Sequence, residues 1–199
     1  MTDPLPEHFT ATRDALHGIA EQRVSPPRQA VTQRIDLRAT AGGFGTPVFD
    51  GDREVRVDGA ELVTIARGVE TREPLDDVDD DAARWLGRFF AFALDVLTEL
   101  GRDLPREWAP SAPKLWPEHF DYAIEAGIVR ANLGFSPGDG SLAEPYAYVG
   151  PWDPPPAGPL WNARGFPGAE LGFAELIAAP DPRAAALAFF RERLDALHA

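Results

Sequence analysis

The stretch Asp76–Gly101, DDVDDDAARWLGRFFAFALDVLTELG, constrains the fold more than any other part of the chain. Its acids suit a helix start, where unpaired backbone N–H groups and the helix dipole favour negative charge. Beyond them Trp85, Phe89, Phe92, Val96 and Leu100 recur at helical spacing, and Leu86, Phe90, Ala93 and Leu97 widen the stripe until Gly101 closes it. A stripe this broad cannot face water on any long side. It predicts a central core helix packed against a sheet.

The flanking segments supply that sheet. VTQRIDLR (31–38) alternates apolar and polar residues with the period of a half-buried strand. REVRV and ELVTIAR flank Asp58-Gly59 and read as a hairpin, because Asp-Gly accepts the positive φ angles of a tight turn. ATAGGFGTPVFDGD between them reads as a glycine-rich turn region. Asp3-Pro4 opens an N-terminal helix that VSPPRQ ends after Gln22, PYAYVGPW is a strand, a short helix falls near 169–178, and Asp181-Pro182 caps a last helix bearing Leu187, Phe190, Leu194 and Leu197. The expected architecture is α+β: a single domain over residues 1–199, mainly antiparallel sheet packed on the long helix, with N- and C-terminal helices.

KLWPEHFDYAIEAGIVRANLGFSPGDG (114–140) holds the densest chemistry. With Gly127-Ile128 as a two-residue turn, Phe120 faces Phe135, Tyr122 faces Leu133 and Ile124 faces Ala131 on one side. On the other, His119 faces Ser136, Asp121 faces Gly134, Glu125 faces Arg130, and Asn132 lies opposite Ala123. His119 and Asp121 could act as base and orienting partner, with Asp139, Glu144 or Tyr146 reaching in from the following loop and strand. The competing reading is the solvated face of an antiparallel sheet. His-x-Asp could offer two metal ligands, but His8, His17 and His198 lie far off in sequence on helical segments, so neither a metal nor a cofactor is expected.

GPWDPPPAGPLWNARGFPG is too long for a routine connection, and Trp152, Trp161 and Phe166 argue against disorder. It reads either as a self-packed loop covering a sheet edge or as the wall of a pocket, with Asn162, over the polar face. Tyr146 and Tyr148 share one face of their strand. Several motifs fail: AGGFGTP is no phosphate-binding loop, DGDREVRVDG lacks the glycine and glutamate of a calcium loop, and FSPGDGS is no nucleophile elbow.

With no cysteine, disulfides, thiolate metal sites and a cysteine nucleophile are excluded. The formal net charge of −13 opposes binding to nucleic acid or anionic membrane, and the arginines, such as Arg34, Arg38, Arg53 and Arg56, are interleaved with acids. No secretion signal is read in MTDPLPEHF, and no run is apolar enough to span a bilayer, so a cytoplasmic location is expected.

GGFGTPVF, LWPEHFD, SPGDG, EPYAYVGPW and WNARGF followed by ALAFFRERLDAL together resemble a family of small uncharacterised proteins in actinobacteria, across most of the chain. The resemblance implies a bacterial cytoplasmic origin and supplies no catalytic residues. The leading expectation is therefore a non-enzymatic domain that binds a small polar ligand or a protein partner through Asp121, Arg130, Asn132, Tyr146, Tyr148, Trp152, Trp161 and Asn162. The alternatives are a hydrolase-like enzyme with His119 as general base partnered by Asp121 or Asp139, and an acidic inhibitor or antitoxin-like protein.

Overall fold

A computed structural model describes residues 3–199; Met1 and Thr2, at the head of the segment read as lacking a secretion signal, lie outside the described residues. The fold is α+β. Helices α1 (Phe9–Ile19) and α2 (Ser25–Thr32) precede strands β1 (Arg38–Thr40), β2 (Gly43–Gly45), β3 (Glu54–Val57), β4 (Glu61–Ala66) and β5 (Val69–Pro74). The long helix α3 (Asp80–Asp103) follows, then β6 (Lys114–Trp116), β7 (Asp121–Ala126), β8 (Ala131–Ser136), β9 (Tyr146–Pro151) and β10 (Ala169–Gly172), and finally α4 (Phe173–Ala178) and α5 (Pro182–His198). The strands form two antiparallel sheets, ordered β1-β2-β3-β4-β5 and β10-β9-β8-β7-β6. Backbone proximity gathers the chain into two units, one of residues 3–92 and 114–121, the other of residues 93–113 and 122–199. No helix of the described residues is long and apolar enough to cross a membrane.

α3 carries the expected stripe. Trp85, Leu86, Phe89, Phe90, Ala93, Val96, Leu97 and Leu100 are all buried, while Phe92 is half-buried. The Asp79 carboxylate accepts from Ala82 N at 2.9 Å and so caps the first turn. The helix runs past Gly101 to Asp103. The Asp58-Gly59 hairpin also forms as expected, with Val57 opposite Leu62 and Gly59 at φ +64°.

In the first unit four expectations are corrected. The N-terminal helix starts at Phe9 rather than at Asp3-Pro4, and VSPPRQ does not end it. The chain widens into a π-helical turn at Ala20–Val24, closed by Ser25 N–H donating to Ala20 O, and α2 then begins with the prolines in its first positions. A proline ring inside an α-helix clashes with the carbonyl four residues back. The wider turn removes that clash, and the missing N–H groups cost nothing at a helix start. Residues 31–36 are consequently not strand: Val31 and Thr32 finish α2, Gln33 adopts the left-handed conformation at φ 59°, and only Leu37, bridged to Leu115, and Arg38, the first residue of β1, are extended and paired. Side chains take the bonds a ladder would have made, since Ser25 Oγ donates to Ile35 O at 3.0 Å and Arg28 to Asp36 O at 2.7 Å. The glycine-rich region, read as turn alone, contains β2, and β5, exposed along its whole length, had no apolar alternation to reveal it.

The β7–β8 hairpin corrects the register. Tyr122 faces Phe135, Ala123 faces Gly134, Ile124 faces Leu133, Glu125 faces Asn132 and Ala126 faces Ala131. The turn is therefore residues 127–130, not a two-residue turn, because its amides are taken by tertiary partners. Gly127 N donates to Trp108 O at 2.9 Å, and Ile128 N donates to His198 Nε2 at 3.0 Å. A shift by an even number of residues leaves every side chain on its expected face. Phe120 is not in the strand. It sits at φ 52° in the preceding turn, a costly conformation for a bulky residue, and its ring is held among Phe44 (5.1 Å), Phe90 (5.4 Å) and His17 (5.2 Å). Residues 169–172, expected as the head of a short helix, are strand β10, and α4 starts only at Phe173.

Candidate functional site

In the second unit, β7–β10 turn one face inward. Tyr122, Ile124, Leu133, Phe135, Ala147, Val149 and Leu171 are buried there, and α5 lies against β9 and β10 with Phe190 edge-on to Phe135 at 5.4 Å. The register places Glu125, Asn132, Gly134, Ser136, Tyr146, Tyr148 and Glu170 on the opposite face. Gly134 is what lets an aromatic ring lie flat on that face. A Cβ there would stand 2.7 Å from Tyr148 Cε1, Tyr148 Oη and Tyr122 O, so only glycine fits beneath the ring.

Tyr146 and Tyr148 stand side by side with ring centroids 6.2 Å apart. The Tyr146 hydroxyl donates to Asp139 Oδ2 at 2.6 Å, while Asp139 Oδ1 accepts from Ser141 N at 2.6 Å and Leu142 N at 3.0 Å. One carboxylate thus folds the loop after β8 and ties it to β9. Opposite it, the long loop after β9 turns back onto the sheet. Phe166 meets Tyr148 edge-to-face at 6.1 Å. Asn162 completes the closure by acting as a strand neighbour to β10: its amide donates to Glu170 O and its carbonyl accepts from Glu170 N, both at 3.0 Å. The loop therefore covers a sheet edge and also walls a pocket, but through Arg164, Gly165 and Phe166 rather than through Trp152, Trp161 and Asn162 as expected.

Between these loops lies a cleft of about 400 Å³ lined by Asp139, Ser141, Leu142, Tyr146, Arg164, Phe166 and Glu170 among others. That volume is at the small end of the range for small-molecule sites, about 300–1,000 Å³. Among the described residues, the Arg164 guanidinium and the Glu170 carboxylate make no side-chain hydrogen bond or ion pair. What marks the cleft is that these two opposite charges line one cavity without bonding each other, whereas many arginines elsewhere are paired. Arg34, Arg38, Arg53 and Arg56 all pair with neighbouring acids. Across β3–β5 and the start of α3, Arg72 bonds Glu61, Glu70 and Asp58, and Arg84 bonds Asp58 and Asp80. The hydrogen bonds that Arg72 donates to Glu61 and Glu70 hold its proton more tightly than usual, and the bond donated by Arg84 holds Asp80 below the ordinary carboxylate value.

The residues singled out in the sequence divide into groups. Tyr146 and Asp139 line the cleft, and Tyr148 supports it through Phe166. Arg130, Asn132 and Trp152 form a separate cluster on the same face: Arg130 pairs with Glu125 from the turn and lies 3.9 Å over the Trp152 ring, and Trp152 Nε1 reaches Asn132 Oδ1 at 3.5 Å. Trp152 is 56% exposed, whereas Trp161 is half-buried within its loop. Asn162 has both ends of its amide committed to backbone. Asp121 is buried at the head of β7 and stands outside the cleft, and the glycine expected opposite it faces Ala123 instead. His119 is exposed on the turn before β7 and makes no hydrogen bond or ion pair among the described residues, so it is not paired with Asp121. Among the described residues no group of three or more His, Asp or Glu is arranged to hold a metal ion.

Sequence reasoning passed over Arg164 and Glu170. Glu170 was assigned to a helix, and Arg164 offered no signal beyond its place between Asn162 and Phe166 in the aromatic loop. No family model, curated protein or solved structure matches this chain.

Proposed function

We propose that this chain is a binding protein for a small polar ligand, which it holds in the cleft between the Asp139–Leu142 loop and the Arg164–Phe166 segment. The observation that carries this reading is a preformed cavity lined by two opposite charges, Arg164 and Glu170, that make no side-chain hydrogen bond or ion pair among the described residues. Arg164 is exposed and Glu170 half-buried, so both can meet a solute that enters the cleft. Aromatic and aliphatic walls from Phe166, Tyr146 and Leu142, combined with a few convergent polar groups, are the usual makeup of a ligand site.

Native mass spectrometry of the freshly purified full chain tests the proposal. A stoichiometric co-purifying small mass, absent in a Leu142→Trp variant that fills the cleft, is the expected result. A clean mass for the wild-type chain, with no change in the amide spectrum on adding a cell extract of small metabolites, would overturn it.

A further inference from the structure

We infer that the ligand of this cleft is zwitterionic: a small molecule with an anionic group that meets Arg164 and an ammonium group that meets Glu170. The inference rests on the reading of the cleft as a ligand site and adds the chemical class. Three charged side chains line the cavity: Asp139, Arg164 and Glu170. Asp139 is committed, with one oxygen on the Tyr146 hydroxyl and the other on two backbone N–H groups. Arg164 and Glu170 are the pair left over. They line the same cavity, carry opposite charge and do not bond to each other, so they stand too far apart for a direct ion pair.

A ligand with a single charge fits this arrangement poorly. A simple anion would reach Arg164 but would enter a cleft with two carboxylates, on a chain whose formal net charge is −13. A simple cation would reach Glu170 and leave the guanidinium unanswered beside it. A zwitterion satisfies both at once and adds no net charge. Its two ends must be separated as Arg164 and Glu170 are, and its body must be short and largely apolar to lie along Phe166 and Leu142 within about 400 Å³. Arg164 offers a planar fork of donors suited to a carboxylate.

The experiment is an amide and arginine-side-chain NMR titration of the full chain with probes of graded charge separation: glycine, β-alanine, 4-aminobutyrate and 6-aminohexanoate. Butyrate and butylammonium serve as single-charge controls. The expected result is that one zwitterion shifts the Gly165 and Phe166 amides and the Arg164 Nε–H signal, binding at least about tenfold tighter than either control. Arg164→Gln and Glu170→Gln should each weaken it by about tenfold or more. Among the described residues neither side chain makes a hydrogen bond or ion pair, so both variants should fold. Butyrate or butylammonium binding as tightly as the best zwitterion, or both variants retaining affinity, would overturn the zwitterion while leaving the cleft a ligand site. Silence from every probe would overturn the zwitterion as well. A co-purifying mass of another class would then keep the cleft reading, and a clean mass would remove both.

Discussion

Tyr146→Phe removes one oxygen and one hydrogen bond, the 2.6 Å contact that ties β9 to the loop after β8. Tyr146 is only 8% exposed, so its hydroxyl has little access to replacement water, while Asp139 is exposed and already accepts from two backbone N–H groups. A hydrogen bond to a charged group contributes about 1.5–3 kcal/mol, and the exposure of the acceptor places this one at the low end, near 1.5 kcal/mol. For a protein of this length each kcal/mol moves the melting temperature by about 2–4 °C, so a fall of about 3–6 °C is expected. Asp139→Ala should cost more, about 3 kcal/mol, because two backbone donors lose their acceptor as well. Urea unfolding of the two single variants and the double variant, followed by tryptophan fluorescence, then isolates the pair. The coupling should be about 1–1.5 kcal/mol. A coupling below about 0.3 kcal/mol, within the scatter of independent sites, would mean that the hydroxyl bonds water as well as it bonds Asp139, and the loop would lose its claimed anchor.

Gly134→Ala places a Cβ 2.7 Å from the Tyr148 ring and from Tyr122 O, so a loss of about 1–3 kcal/mol is expected, along with displacement of Phe166 visible as altered ring shifts of Tyr148; an unchanged spectrum would contradict the close approach. His198→Ala removes the ring nitrogen that accepts from Ile128 N and Val129 N and the stack on Trp108 at 4.1 Å. Hydrogen exchange of those two amides should accelerate, with about 1–3 kcal/mol of stability lost; unchanged exchange would show that the turn holds without the latch. Burial pushes the Asp36 carboxyl up, but the hydrogen bond from Arg34 and the charge of Arg28 outweigh it and hold the group below the ordinary carboxylate value. The stability this contributes is fully present above the unfolded value of about 3.9 and is lost as pH falls through the lower folded value. The stability gap between wild type and Asp36→Asn should therefore close on acidification below about pH 4, and a gap independent of pH would show that the ion pair is idle.

The amino-acid sequence by itself determined what depends on short-range pattern. The stripe of α3, the Asp58-Gly59 turn, the Asp181 cap of α5, whose carboxylate accepts from Ala184 N, and the sorting of Tyr122, Ile124, Leu133 and Phe135 onto one face all follow from periodicity or from local bonds. Tertiary structure decided whatever hung on a partner distant in the chain. The hairpin turn lengthened because Trp108 and His198 took its amides, and Phe120 left its strand because Phe44 and Phe90 offered its ring a buried place. Residues 31–36 lost their strand when the π-helical turn admitted two prolines and Ser25 and Arg28 bonded the backbone beyond. The cleft belongs to the same class. Tyr146 was legible as a strand tyrosine and Asp139 as a candidate acid, but only the return of a loop onto β10 through Asn162 sets Arg164 and Glu170 beside them. A lone charge in a loop carries no periodic signal, and its chemistry is set by neighbours that the order of residues does not name.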